Sequence, residues 1–233
     1  MNIAIILSAG SSTRMNRETP KQFLEVGGKK IISYSLDTFY FHKMIDAIAI
    51  VIREEDRDFF EKLIKNKNGK PIYLINGGTT RSESSYNALR FLKNYTKEDD
   101  IILIHDAARP LVSERIINEN IKKVSMHKAI LTYLPMTDSV FIKNNEKFEE
   151  SFSRDKLGIA QTPQTFLFKD IYDAYSNIKN LKMATYTDDI QVFKKLYTDV
   201  ELVIGERKNM KITTSEDFEI LRSLLIKSLE DQT

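Results

Sequence analysis

The sequence predicts an α/β protein with a mostly parallel, twisted sheet and helices on both faces. Three observations lead to this fold class: short apolar runs rich in isoleucine, helix-length amphipathic segments between them, and alternation of the two from the first residues onward. Parallel strands need helical crossovers, and those crossovers cover both faces of the sheet.

Six apolar runs predict the strands. They do not alternate with polar residues, which is typical of strands that are buried on both faces. The runs are 3–7, 47–52, 72–75, 101–104, 129–134 and 201–204.

Seven amphipathic segments predict the helices. Ser113 and Ser215 precede two of them and are expected N-caps, because a serine hydroxyl can accept from the first free N–H groups of a helix. The segments are 31–41, 55–65, 82–93, 114–125, 169–178, 188–197 and 215–229.

The alternation breaks at about 134–160. "KNNE" predicts a turn between two short β-like pieces, so this stretch is expected to be a hairpin arm inserted in a single domain of residues 1–233. A surface excursion and a dimerisation arm explain this pattern equally well, since a projecting hairpin needs something to cover its apolar face.

Composition limits the function classes. The chain has 233 residues, of which 42% are hydrophobic and 29% charged, and a net charge of +2 that does not favour nucleic-acid or membrane binding. The absence of cysteine excludes disulfides, thiolate zinc sites and cysteine nucleophiles. Residues 1–12 lack the features of a secretory signal, and no apolar stretch could span a membrane, so we expect a cytoplasmic protein.

Polar clusters follow four of the predicted strands. In open α/β sheets, ligands bind beyond the carboxyl ends of the strands. Small residues, cations and a carboxylate at these ends predict one pocket for a ligand with several negative charges. The clusters are 8–21, 76–84, 105–110 and 205–217.

The first cluster, "SAGSSTRMNRETPK", is not a known glycine motif. It has neither the P-loop spacing nor G-x-G-x-x-G, because Gly10 is its only glycine. Small residues still allow backbone N–H groups to close on phosphate oxygens. Arg14 and Lys21 could then neutralise charge during phosphoryl transfer, although solvated surface cations are the alternative.

The second cluster, "NGGTTRSES", opens a predicted helix. Gly77 and Gly78 permit close backbone approach to a base or sugar. Ser82 or Ser84 could cap the helix or donate to a base edge. A plain turn with an N-cap is the alternative interpretation.

The third cluster, "HDAARP", puts His105 and Asp106 at a strand end. Asp106 could hold a divalent cation or a ribose hydroxyl, or it could cap the next turn. A single carboxylate does not exclude Mg²⁺, which is often bound by one or two carboxylates plus substrate phosphates. His105 is interpreted as structural rather than as a catalytic base.

Seven stretches together resemble a known family, the 2-C-methyl-D-erythritol 4-phosphate cytidylyltransferases and the related ribitol-5-phosphate cytidylyltransferases. The stretches occur in family order from residue 7 to residue 218. They are "LSAGSSTRM....PKQF", "GGTTRSES", "HDAARP", "TDSV", "R..L..AQTPQTF", "TDD" and "NMKITTSEDF".

The resemblance implies a Rossmann-like fold and a Mg²⁺-dependent reaction in which a substrate phosphate attacks the α-phosphorus of CTP and releases pyrophosphate. Arg14 and Lys21 match the family's transition-state stabilisers, and Asp106 and Ala107 match positions beside ribose, phosphate and Mg²⁺. Further CTP-binding positions are matched by Ser8, Ala9, Gly10, Ser11, Gly78, Arg81 and Ser84. Polyol-phosphate positions are matched by Ser139, Arg154 and Lys211.

The resemblance also favours the dimer arm, because "TDS" and Arg154 lie on an arm that reaches the neighbouring subunit in the family. The forms "HDAARP", "AQTPQ" and "TDD" favour methylerythritol phosphate over ribitol phosphate as the substrate. The first loop has fewer glycines than the family usually shows. A non-catalytic nucleotide-binding module is a third hypothesis, which the presence of both Arg14 and Lys21 disfavours.

Overall fold

Strands alternate with helices along most of the chain. The structure is a computed structural model that describes residues 1–10, 23–178 and 186–230. In chain order, the strands of these residues are β1 (Asn2–Leu7), β2 (Glu25–Val26), β3 (Lys29–Lys30), β4 (Ala47–Ile52), β5 (Ile72–Asn76), β6 (Ile101–Asp106), β7 (Ala129–Pro135), β8 (Val140–Asn144), β9 (Lys147–Phe152), β10 (Gly158–Leu167) and β11 (Val200–Ile204).

Each predicted helical segment contains a helix, but the one predicted over 188–197 ends at Phe193. They are α1 (Ile31–Phe41), α2 (Arg57–Ile64), α3 (Arg81–Leu92), α4 (Glu114–Val124), α5 (Phe168–Ser176), α6 (Asp189–Phe193) and α7 (Ser215–Glu230). No helix in the described ranges is long and apolar enough to cross a membrane.

One of the two predicted N-caps is confirmed. The side chain of Ser113 accepts from the N–H of Ile116. The prediction for Ser215 is wrong by one residue, because Thr214 precedes the helix and its Oγ1 accepts from Asp217 N at 3.2 Å. The cap of α3 is likewise Thr80, which accepts from Glu83 N. Ser82 and Ser84 lie inside that helix and do not cap it.

Seven strands form the central sheet in the order β11-β7-β10-β6-β1-β4-β5. All the predicted strands are present, and the mostly parallel α/β class is confirmed. A further strand, β10, was not predicted. It runs antiparallel to both β6 and β7. Its sequence "GIAQTPQTFL" has no continuous apolar run, because the strand buries polar side chains. The pairing of β10 with β7 also contains a register shift between Ala160 and Gln164.

Helices cover both faces of the sheet, as the non-alternating strands require. Along β1, Ile3 and Ile5 pack on the side of α3, α5 and α6. Ala4 and Ile6 pack on the opposite side, with α1, α2 and α4. Burial on both faces fixes the strand ends rigidly, and those ends carry the polar clusters.

A hairpin projects within the predicted 134–160 segment. Strands β8 and β9 pair antiparallel through a two-residue turn at Asn145 and Glu146, both at positive φ. Every residue of β9 is exposed. The rings of Phe141 and Phe148 lie 5.8 Å apart on the hairpin and are 56% and 68% exposed. The hairpin therefore presents aromatic surface that the described chain does not cover.

Candidate active site

Backbone hydrogen bonds join the carboxyl ends of the central strands. Leu7 pairs with Asp106 in the register of β1 and β6, and Ala107 N donates to Leu7 O at 3.0 Å. Ser8 N donates to Val51 O at 2.8 Å, and Gly77 N donates to Ile52 O at 2.8 Å. The polar loops after β1, β5 and β6 consequently leave the sheet side by side.

The loops after β1 and β5 approach each other closely. A Cβ at Gly77 would lie 2.6 Å from the Cβ of Ala9 and 3.0 Å from Ser84 Oγ. Only glycine allows this approach. Ser8 is buried and Gly10 is exposed, so the chain emerges from the sheet at this point.

The start of α3 is tied to the loop before it. Ser84 Oγ accepts from Gly78 N at 3.1 Å, and Glu83 Oε2 accepts from Thr79 N at 2.7 Å. A Cβ at Gly78 would lie 2.3 Å from the Cβ of Glu83. In this structure Ser84 therefore holds the loop backbone, and the helix N-terminus faces the same edge as Asp106.

Asp106 is the centre of a charged cluster. Its Oδ1 accepts from Arg81 Nε at 3.1 Å, and its Oδ2 accepts from Lys211 Nζ at 2.7 Å. Arg109 Nε lies 3.9 Å from Oδ2. These cations come from α3, the loop after β11 and the turn after β6, so one carboxylate connects three of the four predicted clusters.

The electrostatics of the cluster favour the charged forms. Burial raises the pKa of Asp106, but Arg81, Lys211 and Arg109 outweigh burial and hold that pKa well below its usual range. Burial lowers the pKa of Arg81, and the negative charges of Asp189 and Asp106 outweigh this and raise it. Asp106 is therefore a carboxylate at every physiological pH.

His105 is part of the core beneath this cluster. Its Nε2 lies 2.9 Å from Arg109 O, and its Nδ1 lies 3.0 Å from Thr162 Oγ1. Burial lowers the pKa of His105 to about 4, so the ring is neutral at pH 7. This geometry agrees with the structural interpretation, since both ring nitrogens have partners within the protein and the side chain is fully buried.

Comparison with known proteins decides the family. The sequence model of 2-C-methyl-D-erythritol 4-phosphate cytidylyltransferase matches residues 2–227. The chain belongs to the 2-C-methyl-D-erythritol 4-phosphate cytidylyltransferase family. It is accordingly an enzyme, a CTP-dependent nucleotidyltransferase, and the resemblance found in the sequence is confirmed.

Individual relatives of this cytidylyltransferase cover nearly its full length. A 2-C-methyl-D-erythritol 4-phosphate cytidylyltransferase of Clostridioides difficile is 40% identical, with 100% of this chain and 97% of the relative aligned. A ribitol-5-phosphate cytidylyltransferase of Vibrio parahaemolyticus is 36% identical, with 97% of this chain and 96% of the relative aligned. The crystal structure of 4-diphosphocytidyl-2C-methyl-D-erythritol synthase from Anaerococcus prevotii superposes with a TM-score of 0.80 at 32% sequence identity. The superposition covers 96% of this chain and 97% of that structure.

Not every predicted site residue of the cytidylyltransferase meets at the Asp106 cluster. The structure brings together Arg81, Asp106 and Lys211. Arg154 instead donates from Nη1 to Thr137 O at 3.1 Å at the base of the hairpin, and Ser139 is exposed nearby. Ser11, Arg14 and Lys21 lie outside the described residues.

Arg109 and Gln161 hold the loop that carries Lys211, and the sequence alone indicates no role for either side chain. Arg109 donates to Asn209 O at 2.9 Å and to Ala160 O at 3.2 Å. Gln161 Oε1 accepts from Asn209 Nδ2 at 3.2 Å. Arg109 lies within "HDAARP" and Gln161 within "AQTPQ", so both stretches were identified, but only their folding onto one loop reveals what these side chains do.

The metal prediction rests on Asp106 alone. No group of three or more His, Asp or Glu side chains within the described ranges could hold a metal ion. The oxygen chemistry of one carboxylate suits Mg²⁺ when phosphate oxygens supply most of the other ligands. Arg81 and Lys211, which are hydrogen-bonded to Asp106, would share that carboxylate with such an ion. The residues therefore fit a metal ion whose ligands come mainly from the phosphates of a bound nucleotide.

Proposed function

We propose that this enzyme couples CTP to 2-C-methyl-D-erythritol 4-phosphate, giving 4-diphosphocytidyl-2-C-methyl-D-erythritol and pyrophosphate, in non-mevalonate isoprenoid precursor biosynthesis. The observation that carries the proposal is the Asp106–Lys211 ion pair of 2.7 Å at the edge where the loops after β1 and β5 emerge. The ion pair holds the Lys211 ammonium, which could bind a sugar phosphate, beside the loops proposed to bind the nucleotide. The family match supports the same substrates.

The reaction is an in-line displacement. An oxygen of the polyol phosphate forms a bond to the α-phosphorus of CTP, and the bond from that phosphorus to the pyrophosphate oxygen breaks. Backbone N–H groups of the loop that follows Ser8 bind the triphosphate, while Arg14 and Lys21 stabilise the charge that develops on it. No covalent enzyme intermediate is needed, because alignment and charge neutralisation lower the barrier.

The remaining CTP contacts are assigned to the edge formed by β5, α3 and β6. Gly78 and Ser84 lie beside the base, Arg81 fixes Asp106, and Asp106 with Ala107 lies beside the ribose. Mg²⁺, when bound with CTP, supplies charge neutralisation at the phosphates, and Asp106 is the carboxylate that would hold it. Lys211 orients the phosphate of the polyol.

The enzyme is proposed to act as a cytoplasmic homodimer of single-domain subunits, since CTP is a cytoplasmic metabolite. The exposed Phe141 and Phe148 of the hairpin are the surface that a second copy would cover. Ser139 and Arg154 would then contribute to the polyol-phosphate site of the partner subunit. This assignment explains why Arg154 contacts Thr137 within its own chain and not the Asp106 cluster.

Ribitol 5-phosphate is the second candidate substrate. The Vibrio parahaemolyticus relative bears that name and is 36% identical to this chain. Both substrates are small polyol phosphates, and a methyl or hydroxyl difference is read by few contacts. CDP-ribitol for cell-wall or capsule polymers would then be the product.

Arg14→Ala tests the proposed chemistry. Turnover of CTP with methylerythritol phosphate should collapse, while calorimetry still detects CTP binding, because the backbone N–H groups remain. Arg222→Ala is the matched control, since Arg222 is an exposed residue of α7 paired with Glu219; its turnover should equal that of the wild type. Wild-type turnover in Arg14→Ala would contradict the proposal.

A further inference from the structure

Asp189 lies behind the Asp106 cluster and is fully buried. Its Oδ2 accepts from Arg81 Nη1 at 2.7 Å, and its Oδ1 accepts from Tyr175 Oη at 2.7 Å. A fully buried carboxylate is costly unless cations and donors satisfy it. Here both oxygens are satisfied, one of them by the guanidinium that also holds Asp106.

The backbone at Asp189 is fixed as firmly as its side chain. Gln164 Oε1 accepts from Asp189 N at 2.9 Å and from Ile190 N at 3.1 Å. Gln164 belongs to β10, the antiparallel strand beside β6. The carboxylate therefore has a set position relative to the strand that ends in Asp106.

Four charges of alternating sign form a continuous series from Asp189 to Lys211. Arg81 bridges Asp189 and Asp106 through Nη1 and Nε, and Asp106 bridges Arg81 and Lys211 through its two oxygens. Arg81 Nη2 is buried and has no hydrogen-bond partner among the described residues. Two of the three guanidinium nitrogens thus fix its orientation, and Asp189 supplies one of those two contacts.

We propose that Asp189 is a positioning residue for the transfer reaction: it holds Arg81, and Arg81 holds Asp106 in the orientation that sets Lys211. This inference rests on the proposed function. Without the Asp189 carboxylate, Arg81 keeps one charged contact, through Nε, and can rotate about it. Asp106 and Lys211 then lose their fixed geometry, although neither touches Asp189.

The experiment compares Asp189→Asn with Tyr175→Phe. Tyr175→Phe removes the other hydrogen bond to the same carboxylate and leaves the charge series intact. In Asp189→Asn, the KM for the polyol phosphate that the wild type uses should rise about tenfold, since small displacements at a transfer site are costly. A smaller folded fraction would lower the apparent kcat and would leave KM unchanged. In Tyr175→Phe, KM should stay within about twofold of wild type, whatever the loss in Tm.

The calorimetric Kd for CTP gives a readout that needs no turnover. It should rise about threefold in Asp189→Asn, because Asp106 is assigned beside the ribose, and stay unchanged in Tyr175→Phe. If the wild type turns over neither polyol phosphate, the proposed function fails, and this CTP comparison still decides the role of Asp189. Equal values in wild type and Asp189→Asn, or equal losses in both variants, would overturn the inference.

A double-mutant cycle with Arg81→Met tests whether Asp189 acts through Arg81. In the Arg81→Met background, Asp189→Asn should change KM and the CTP Kd by less than about twofold, because the group it positions is absent. The double variant also lacks the buried cation that Asp189 compensates. Comparison of the double variant with Arg81→Met is therefore valid even if Asp189→Asn alone does not fold. Losses that multiply in the double variant would contradict positioning through Arg81.

Discussion

Asp106→Asn should destabilise the protein strongly even though the substitution is nearly isosteric. Asp106 is 7% exposed, and its carboxylate contacts Lys211 at 2.7 Å and Arg81 at 3.1 Å, with Arg109 at 3.9 Å. An asparagine amide keeps one acceptor oxygen and removes the negative charge. Arg81 then keeps its contact with Asp189, whereas Lys211 and Arg109 lose the carboxylate that faces them.

The size of the effect follows from the buried geometry. Removing one partner of a buried ion pair costs about 3–5 kcal/mol, because the cations that it balanced keep only part of their compensating negative charge. For a chain of this length, each kcal/mol lowers Tm by about 2–4 °C, which gives a decrease of roughly 6–20 °C. CTP turnover should be lost as well, since Asp106 fixes Lys211.

Thermal unfolding followed by circular dichroism at pH 7 measures this decrease. Asp199→Asn is the matched control, because Asp199 pairs with His127 at 3.1 Å but has an exposed side chain. Its Tm should stay close to that of the wild type, since water replaces an exposed partner. If Asp106→Asn lowers Tm no more than Asp199→Asn, the buried charge cluster does not have the role assigned to it.

Three further predictions test other parts of the structure. Burial lowers the pKa of His105 to about 4, so its contribution to stability is complete above pH 6.5 and is lost as pH falls towards 4. The free energy of unfolding in urea should therefore fall by about 2 kcal/mol more between pH 7.5 and pH 5 in the wild type than in His105→Gln. An equal fall in both proteins would contradict this. Gly205→Ala places a Cβ 2.2 Å from Gln161 Oε1 and should cost about 1–3 kcal/mol and raise the polyol-phosphate KM, whereas unchanged Tm and KM would count against the loop packing. Phe148→Glu, on a side chain that is 68% exposed, should convert the proposed dimer to a monomer in sedimentation velocity while leaving the helical circular dichroism intact. A dimer that persists in this variant would refute the proposed hairpin interface.

Most of the sheet could be predicted because its parallel strands are apolar on both faces. "AIAIVI" of β4 is buried at all six positions, and such a run has few alternatives to a central strand. Strand β10 could not be predicted in the same way. It buries Gln161, Thr162 and Gln164, which bond to side chains and backbone from other elements, so its stability comes from tertiary partners that the local sequence does not reveal.

The part of the candidate site that lies at the carboxyl ends of the strands could be predicted from the sequence. Asp106 and Lys211 come from separate clusters that the rule of carboxyl-end binding places at one edge, and the structure joins them. Asp189 lies within "TDD", and the sequence alone indicates no role for it, because its partner Arg81 is 108 residues away in sequence. This contact follows from the packing of α3 and α6 in one core cluster on the same face of the sheet, which periodicity and capping signals do not determine.

Side-by-side measurement of pyrophosphate release from CTP with methylerythritol phosphate and with ribitol 5-phosphate decides both the reaction and the substrate of this enzyme. With Mg²⁺ present, we expect a higher kcat/KM for methylerythritol phosphate and a CDP-alcohol product of matching mass. A higher kcat/KM for ribitol 5-phosphate would contradict the substrate assignment, and CTP binding without pyrophosphate release from either substrate would contradict the proposed reaction itself.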